Sequence, residues 1–140
     1  MLETLKIIHF LSFAVGIGGG VASLLAGLAM RTAGGGAPAL AGLQRRLGRA
    51  SAVAIVLLWI TGVWMLYAVY GGWGGMSGWF WIKIVAVVGL TAVSARMQWL
   101  SITAQRSGTP PAPRIMAGLG AAANLLAIAA VIIAVIAFTG

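Results

Sequence analysis

Four long apolar stretches, separated by short glycine-rich or basic segments, constrain the fold of this chain more than any other feature. Each runs for about twenty residues or more with few charged side chains, which is the length an α-helix needs to cross the hydrocarbon core of a bilayer. Of the 140 residues, 61% are hydrophobic and only 7% are charged. This pattern predicts an integral membrane protein, because water would not solvate so much apolar surface.

The stretches predict four membrane-spanning helices, over residues 5–30, 52–70, 79–100 and 115–138. The expected fold class is all-α, an integral membrane four-helix bundle, with residues 1–140 forming a single transmembrane domain. The first stretch is longer than the roughly 7 to 15 apolar residues of a signal peptide, so we expect a retained helix.

The basic residues predict an orientation in the membrane. Seven of the nine lysines and arginines fall in the first and third connections or at the adjoining end of the third span. By the positive-inside rule this side is cytoplasmic, which places both termini on the outer, periplasmic side of the inner membrane. The net charge of +8 is then explained by topology and by anionic lipid headgroups, so the expected partner is the bilayer and not a nucleic acid.

The scarcity of acidic residues and the absence of cysteine exclude several classes of site. Glu3 is the only acidic residue, so paired catalytic carboxylates, a Ser-His-Asp set and a carboxylate relay for ion transport are ruled out within one chain. A metal would have to be held by nitrogen, oxygen or methionine sulfur. If the protein catalyses a reaction, we expect a cofactor to supply the chemistry.

The only histidine, His9, is the main candidate site residue, since it lies about one turn inside the first span. An ionisable side chain inside a membrane span is a functional-site hypothesis by default. The residues that follow it on the same helical face are Phe13, Gly16, Gly20, Ser23 and Gly27. Gly16 and Gly20 make this face a smooth groove that suits a flat ligand or a neighbouring helix. The alternative is that His9 donates one hydrogen bond to a neighbouring helix.

Other side chains are expected at the depth of His9, because the first and third spans enter from the same side. Lys83 is expected at a similar depth, and its alternative role is to extend its ammonium group to the lipid headgroups. Residues of the second and third spans that reach a similar depth are Trp64, Met65, Tyr67 and Trp81. The aromatic residues among them are also typical of interface anchors. Thr61 and Asn124, which lie deeper, are expected to form hydrogen bonds between helices.

Several short motifs resemble a group of small four-helix bacterial membrane proteins. They are Lys6-Ile7-Ile8-His9 with the glycines after it, Arg45-Arg46-Leu47, Thr61-Gly62 and Trp81-Ile82-Lys83. The group includes the J-type protoporphyrinogen oxidase and the membrane domain of copper-resistance D proteins. The resemblance covers the first three spans.

In the oxidase family, the histidine of the first span and an H-x-K motif opening the third span are associated with b-type haem and with oxidation of a porphyrinogen. The resemblance therefore implies haem b as cofactor, with His9 as ligand and Lys83 at the lysine of H-x-K. The histidine of that motif falls on Trp81, which cannot ligate iron, so ligation by two histidines of one chain is excluded. Met65, Lys83 or the His9 of a second subunit would then occupy the sixth coordination position.

Three hypotheses follow. The first is a haem-associated redox protein, or one related to haem biosynthesis, in which Lys83 or Arg46 positions propionates or an acidic substrate. The second is a non-catalytic membrane subunit or transport-associated protein of the copper-resistance type, with His9 as a copper-binding residue. The third is a structural bundle in which His9 bonds a neighbouring helix. Small residues along the first and last spans also suggest a homo-oligomer or a complex with other membrane subunits.

Overall fold

The computed structural model describes residues 1–109 and 113–139, and four long helices make up its fold. These are α1 (Leu2–Met30), α2 (Ala37–Tyr70), α3 (Gly78–Ser107) and α4 (Pro113–Thr139), with short 3-10 turns at Gly34–Gly36 and Trp73–Gly75. Each of the four contains a segment that is long and apolar enough to span a membrane. The prediction of an all-α fold with four membrane-spanning helices is confirmed.

Two helices extend well beyond the predicted spans. α2 begins at Ala37 and not at residue 52, and α3 continues to Ser107 and does not end at residue 100. Both extensions contain alanine, glutamine and arginine, which are good helix formers, so the helix continues after the apolar stretch has ended. Pro38, in the first turn of α2, is tolerated because a proline there forfeits no intrahelical hydrogen bond. Pro110 and Pro111 lie outside the described residues.

The helices form a ring in which consecutive helices are joined by short connections and run antiparallel. α1 packs most extensively on α2 and α3 on α4, and contact between α1 and α4 completes the bundle.

We call the end that holds the start of α1 and the connection 71–77 the histidine end. The opposite end, which holds Arg31 and the end of α3, is the basic end. Gly71 closes α2 with φ 67°, in the left-handed region that favours glycine.

Small residues allow α1 and α2 to approach each other closely. A Cβ built on Gly19 would lie 2.6 Å from the Ser51 hydroxyl oxygen, and one on Gly16 would lie 3.9 Å from the Cβ of Ala54. Both Gly19 and Ala54 are buried. Because lipid is as apolar as the helices, close van der Waals packing of this kind is the main force that holds membrane helices together.

α2 and α3 approach each other least closely of the neighbouring pairs, and long side chains bridge them. The indole Nε1 of Trp59 donates to Thr91 Oγ1 at 2.9 Å, and Gln98 Nε2 donates to the carbonyl oxygen of Gly48 at 2.8 Å. The Thr91 hydroxyl in turn donates to the carbonyl of Val87. The bridges hold α2 and α3 together while their backbones remain apart.

We expect Trp59→Phe to lower the free energy of unfolding by about 1 kcal/mol, because it removes the hydrogen bond to Thr91 while keeping an aromatic ring. Unfolding of the detergent-solubilised protein by sodium dodecyl sulfate would measure this change. Trp64→Phe is the matched control on the same helix, since Trp64 is half exposed and makes no hydrogen bond within the described residues. Equal losses in the two variants would show that the bridge contributes nothing.

Candidate functional site

His9 and Thr61 join α1 to α2 near the histidine end. The Nδ1 atom of His9 lies 2.8 Å from Thr61 Oγ1. His9 is half-buried, whereas Thr61 is 3% exposed and is one of the most buried polar residues in the described part of the chain. The expectation that Thr61 forms an interhelical hydrogen bond is confirmed, and its partner is the histidine.

The hydrogen bonds of Thr61 assign the proton on the His9 ring. The Thr61 hydroxyl has one hydrogen and lies 2.7 Å from the carbonyl oxygen of Leu57, which can only accept. The hydroxyl therefore donates to Leu57, and its oxygen accepts the Nδ1 hydrogen of His9. In the neutral ring the lone pair is then on Nε2, so a partner that binds this histidine as a ligand would bind at Nε2.

Gly62 lies against the imidazole ring of His9, and Lys83 lies near the same end of the bundle. Lys83 lies five residues after the start of α3 and His9 seven residues after the start of α1, so both lie near the histidine end. A Cβ built on Gly62 would lie 3.6 Å from the Cε1 atom of His9, next to Nε2. Because residue 62 is a glycine, it has no side chain to cover this edge of the ring.

Met65 and the predicted aromatic residues lie toward the histidine end of their helices. Met65 is half-buried and lies one helical turn from Thr61 on the same face of α2. Trp73, in the connection, donates from Nε1 to the Tyr67 hydroxyl at 3.0 Å and stacks on Trp81 with ring centroids 5.6 Å apart. Trp64 is half exposed. The aromatic side chains thus form a partly exposed cluster at the histidine end, which is typical of membrane-interface anchors.

A large cavity occupies the centre of the bundle and continues to the basic end. Its volume is about 840 Å³, and all four helices contribute to its wall. The residues predicted to follow His9 on one helical face all line it: Phe13, Gly16, Gly20, Ser23 and Gly27. His9 itself does not, because the wall begins at Phe13, one turn further in. We call this space the central cavity.

Amide side chains pack against the glycine-lined wall of the central cavity. Gln44 Nε2 donates to the carbonyl oxygen of Ser23 at 3.0 Å. Asn124 Nδ2 lies 3.5 Å from the carbonyl oxygen of Gly20, which is long for a hydrogen bond. A side chain at residue 20 would meet Asn124, since a Cβ there would lie 2.6 Å from its Oδ1. The groove predicted beside Gly16 and Gly20 therefore faces helices α2 and α4 as well as the cavity.

The structure brings His9, Lys83 and Met65 to one end of the bundle and leaves the other predicted site residues elsewhere. Arg46 lies fifteen positions before Thr61 on α2, about 22 Å along the helix axis, and is exposed at the basic end. Gly16 and Gly20 lie below His9 on the cavity wall. Of the predicted site residues, His9, Lys83 and Met65 therefore lie at the histidine end, whereas Arg46, Gly16 and Gly20 do not.

Sequence reasoning missed Trp59 and Trp73 as hydrogen-bond donors, and it missed Gln44 and Gln98 as bridges between helices. Each has a polar group within or beside an apolar helix, and that group needs a partner in a membrane. Such a signal identifies the donor but not its acceptor, because the acceptor depends on how the helices rotate against one another.

A scan against protein-family models and searches of curated proteins and of solved structures found no match to this chain. The resemblance to the oxidase and copper-resistance group therefore depends on the short motifs alone, and what it implies about cofactor and activity stays a prediction.

Proposed function

We propose that this protein binds haem b at the histidine end, with Nε2 of His9 as a ligand to its iron, and acts as a haem-associated redox protein. The observation that carries the proposal is the hydrogen-bond chain from His9 Nδ1 through Thr61 to the Leu57 carbonyl. Metal-ligating histidines almost always donate the N–H of their second ring nitrogen to a carboxylate, a backbone carbonyl or water, which fixes the tautomer and the ring orientation. A buried threonine that itself donates to a carbonyl supplies this support.

The donor set at the histidine end fits one side of a haem. The imidazole of His9 suits iron, and the ammonium group of Lys83 would attract propionate carboxylates. Met65, Lys83 or the His9 of a second copy would supply a second iron ligand. Bound haem would supply one-electron transfer, and the residues of this chain would hold and orient it. Arg46, at the other end of the bundle, is not part of this proposed site.

The proposal includes an orientation and a location. The cluster of arginines at the basic end favours a cytoplasmic position for that end, with both termini and His9 on the outer side of the inner membrane. A haem at the histidine end would then exchange electrons near the outer surface.

Absorbance of the protein purified in detergent, after expression with ample haem, tests the proposal. We expect a Soret band in the wild type and its loss in His9→Ala. Ile7→Ala is the matched control, because Ile7 is exposed on another face of α1 and should leave the band unchanged. A colourless wild type would overturn the haem proposal.

The same hydrogen bond favours a second candidate, a non-catalytic membrane subunit in which His9 links α1 to α2. His9→Asn, which keeps a hydrogen-bond donor, would then preserve folding and function. A copper site at His9 belongs with this candidate, but it would need ligands from a partner, since the described residues hold no group of three or more His, Cys, Asp or Glu side chains that could bind a metal. A colourless wild type that binds copper only when His9 is present would support it.

A further inference from the structure

The central cavity changes character along its length. Its inner part is mainly apolar and is lined by residues that include Phe13, Ile55, Leu58 and Leu90, with Ser51, Ser94 and Asn124 as polar side chains. At the basic end its wall contains Arg31 and Arg45. An occupant that matches both parts has an apolar body and a negatively charged head that accepts hydrogen bonds from guanidinium groups.

No side-chain carboxylate of this chain is available to neutralise these arginines. The single acidic residue, Glu3, begins α1 at the histidine end, about a membrane thickness away from Arg31. Both arginines are exposed, so an anion from outside the chain can reach their guanidinium groups. Arginine is well suited to bind phosphate, because its planar fork can donate two parallel hydrogen bonds.

The dimensions of the central cavity suit a lipid chain. From Phe13 to Arg31, α1 rises about 27 Å, which exceeds the roughly 15 Å depth of one leaflet. The volume of about 840 Å³ lies within the range of about 300 to 1,000 Å³ that is typical of ligand sites.

We propose that the central cavity binds one anionic phospholipid from the leaflet at the basic end. Its phosphate lies at Arg31 and Arg45, and an acyl chain extends along the glycine-lined wall of α1 toward Phe13. Basic pockets between membrane helices are recognised binding places for anionic lipid headgroups. This inference does not depend on haem binding at His9, because the histidine lies outside the cavity wall.

Native mass spectrometry of protein taken from bilayers of phosphatidylcholine mixed with phosphatidylglycerol tests the headgroup contact. We expect the wild type to retain phosphatidylglycerol in preference to phosphatidylcholine. Combined Arg31→Gln and Arg45→Gln should reduce the retained phosphatidylglycerol by about tenfold or more, since two charge-assisted contacts are lost. Arg49→Gln, which removes an exposed charge outside the cavity, should retain it.

A second pair of variants tests whether the acyl chain enters the cavity. Gly120 lines the cavity, and the nearest atom to a Cβ built there is the flexible end of Met97 at 3.9 Å, so Gly120→Leu should fold and fill part of the space. Gly118→Leu is the control, because a Cβ at Gly118 meets nothing within 4 Å. We expect a several-fold loss of bound lipid in Gly120→Leu only.

Three results would overturn the proposal. The first is equal retention of the two lipids, and the second is a loss in Arg49→Gln as large as in the double arginine variant, which would indicate general surface attraction. The third is unchanged retention in Gly120→Leu, which would mean that the arginines bind a phosphate group at the surface without admitting its chain.

Discussion

Gly19→Leu is expected to destabilise the protein by roughly 2 to 3 kcal/mol, because it inserts a side chain into a close contact between α1 and α2. The Cβ alone would lie 2.6 Å from Ser51 Oγ, and the backbone carbonyl oxygen of Leu47 lies 3.7 Å from the same position. The serine hydroxyl can rotate away from a methyl group. The branched end of a leucine would instead have to push α1 away from α2.

Gly18→Leu is the matched control, since the two glycines are adjacent and differ only in the direction they face. A Cβ at Gly18 meets nothing within 4 Å, and the residue is exposed. Leucine is a better helix former than glycine, so this variant should be neutral or more stable by up to about 1 kcal/mol. Unfolding in sodium dodecyl sulfate would measure both. Similar stabilities in the two variants would contradict the packing of α1 on α2.

The number and type of the helices could be predicted because the physical constraint is strong. An apolar stretch long enough to cross a bilayer has few alternatives to a helix, since every backbone polar group must find a partner within the segment. The ends of α2 and α3 could not be placed from hydropathy. Ala37 and Ser107 lie in polar sequence, where helix propensity and not burial decides how far a helix continues.

The candidate site was only partly predictable. Depth along a helix follows from residue number, so His9 and Lys83 could be expected near one end of the bundle, whereas Thr61 was expected deeper and lies beside His9. The contact between His9 and Thr61 could not be inferred, because it depends on the rotation of α1 against α2. The same rotation decides that Gly19 faces Ser51 while its neighbour Gly20 faces Asn124. A list of polar residues in the spans does not contain that information.

The glycine face below His9 illustrates the same limit. Helical spacing predicts correctly that Gly16, Gly20 and Gly27 share a surface, and all three line the central cavity. Spacing does not tell whether that surface faces lipid, a helix or a cavity. The glycine face is therefore part of the central cavity and not of a site at His9, because the cavity continues toward Arg31 and Arg45.

Thr61→Val should weaken haem binding by about 10- to 100-fold if His9 is the axial ligand. Valine keeps the shape of threonine but cannot accept the Nδ1 hydrogen of His9, so neither the tautomer nor the orientation of the ring is held. The bond from Thr61 to the Leu57 carbonyl is local to α2, and its loss leaves the backbone hydrogen bonds of the helix in place. Titration of the haem-free protein, followed at the Soret band, would give the affinity ratio.

Thr61→Ser is the conservative control, since it restores the hydroxyl and should recover most of the affinity. A purely structural role for the hydrogen bond makes a different prediction, which a double-mutant cycle with His9→Phe would measure. In that case the two side chains would show a coupling energy of about 0.6 kcal/mol in unfolding, with an upper limit near 2, as is usual between membrane helices. Haem affinity that is equal in wild type, Thr61→Val and Thr61→Ser would exclude Thr61 as the group that orients the ligand. It would leave the His9–Thr61 bond as a contact that only joins α1 to α2.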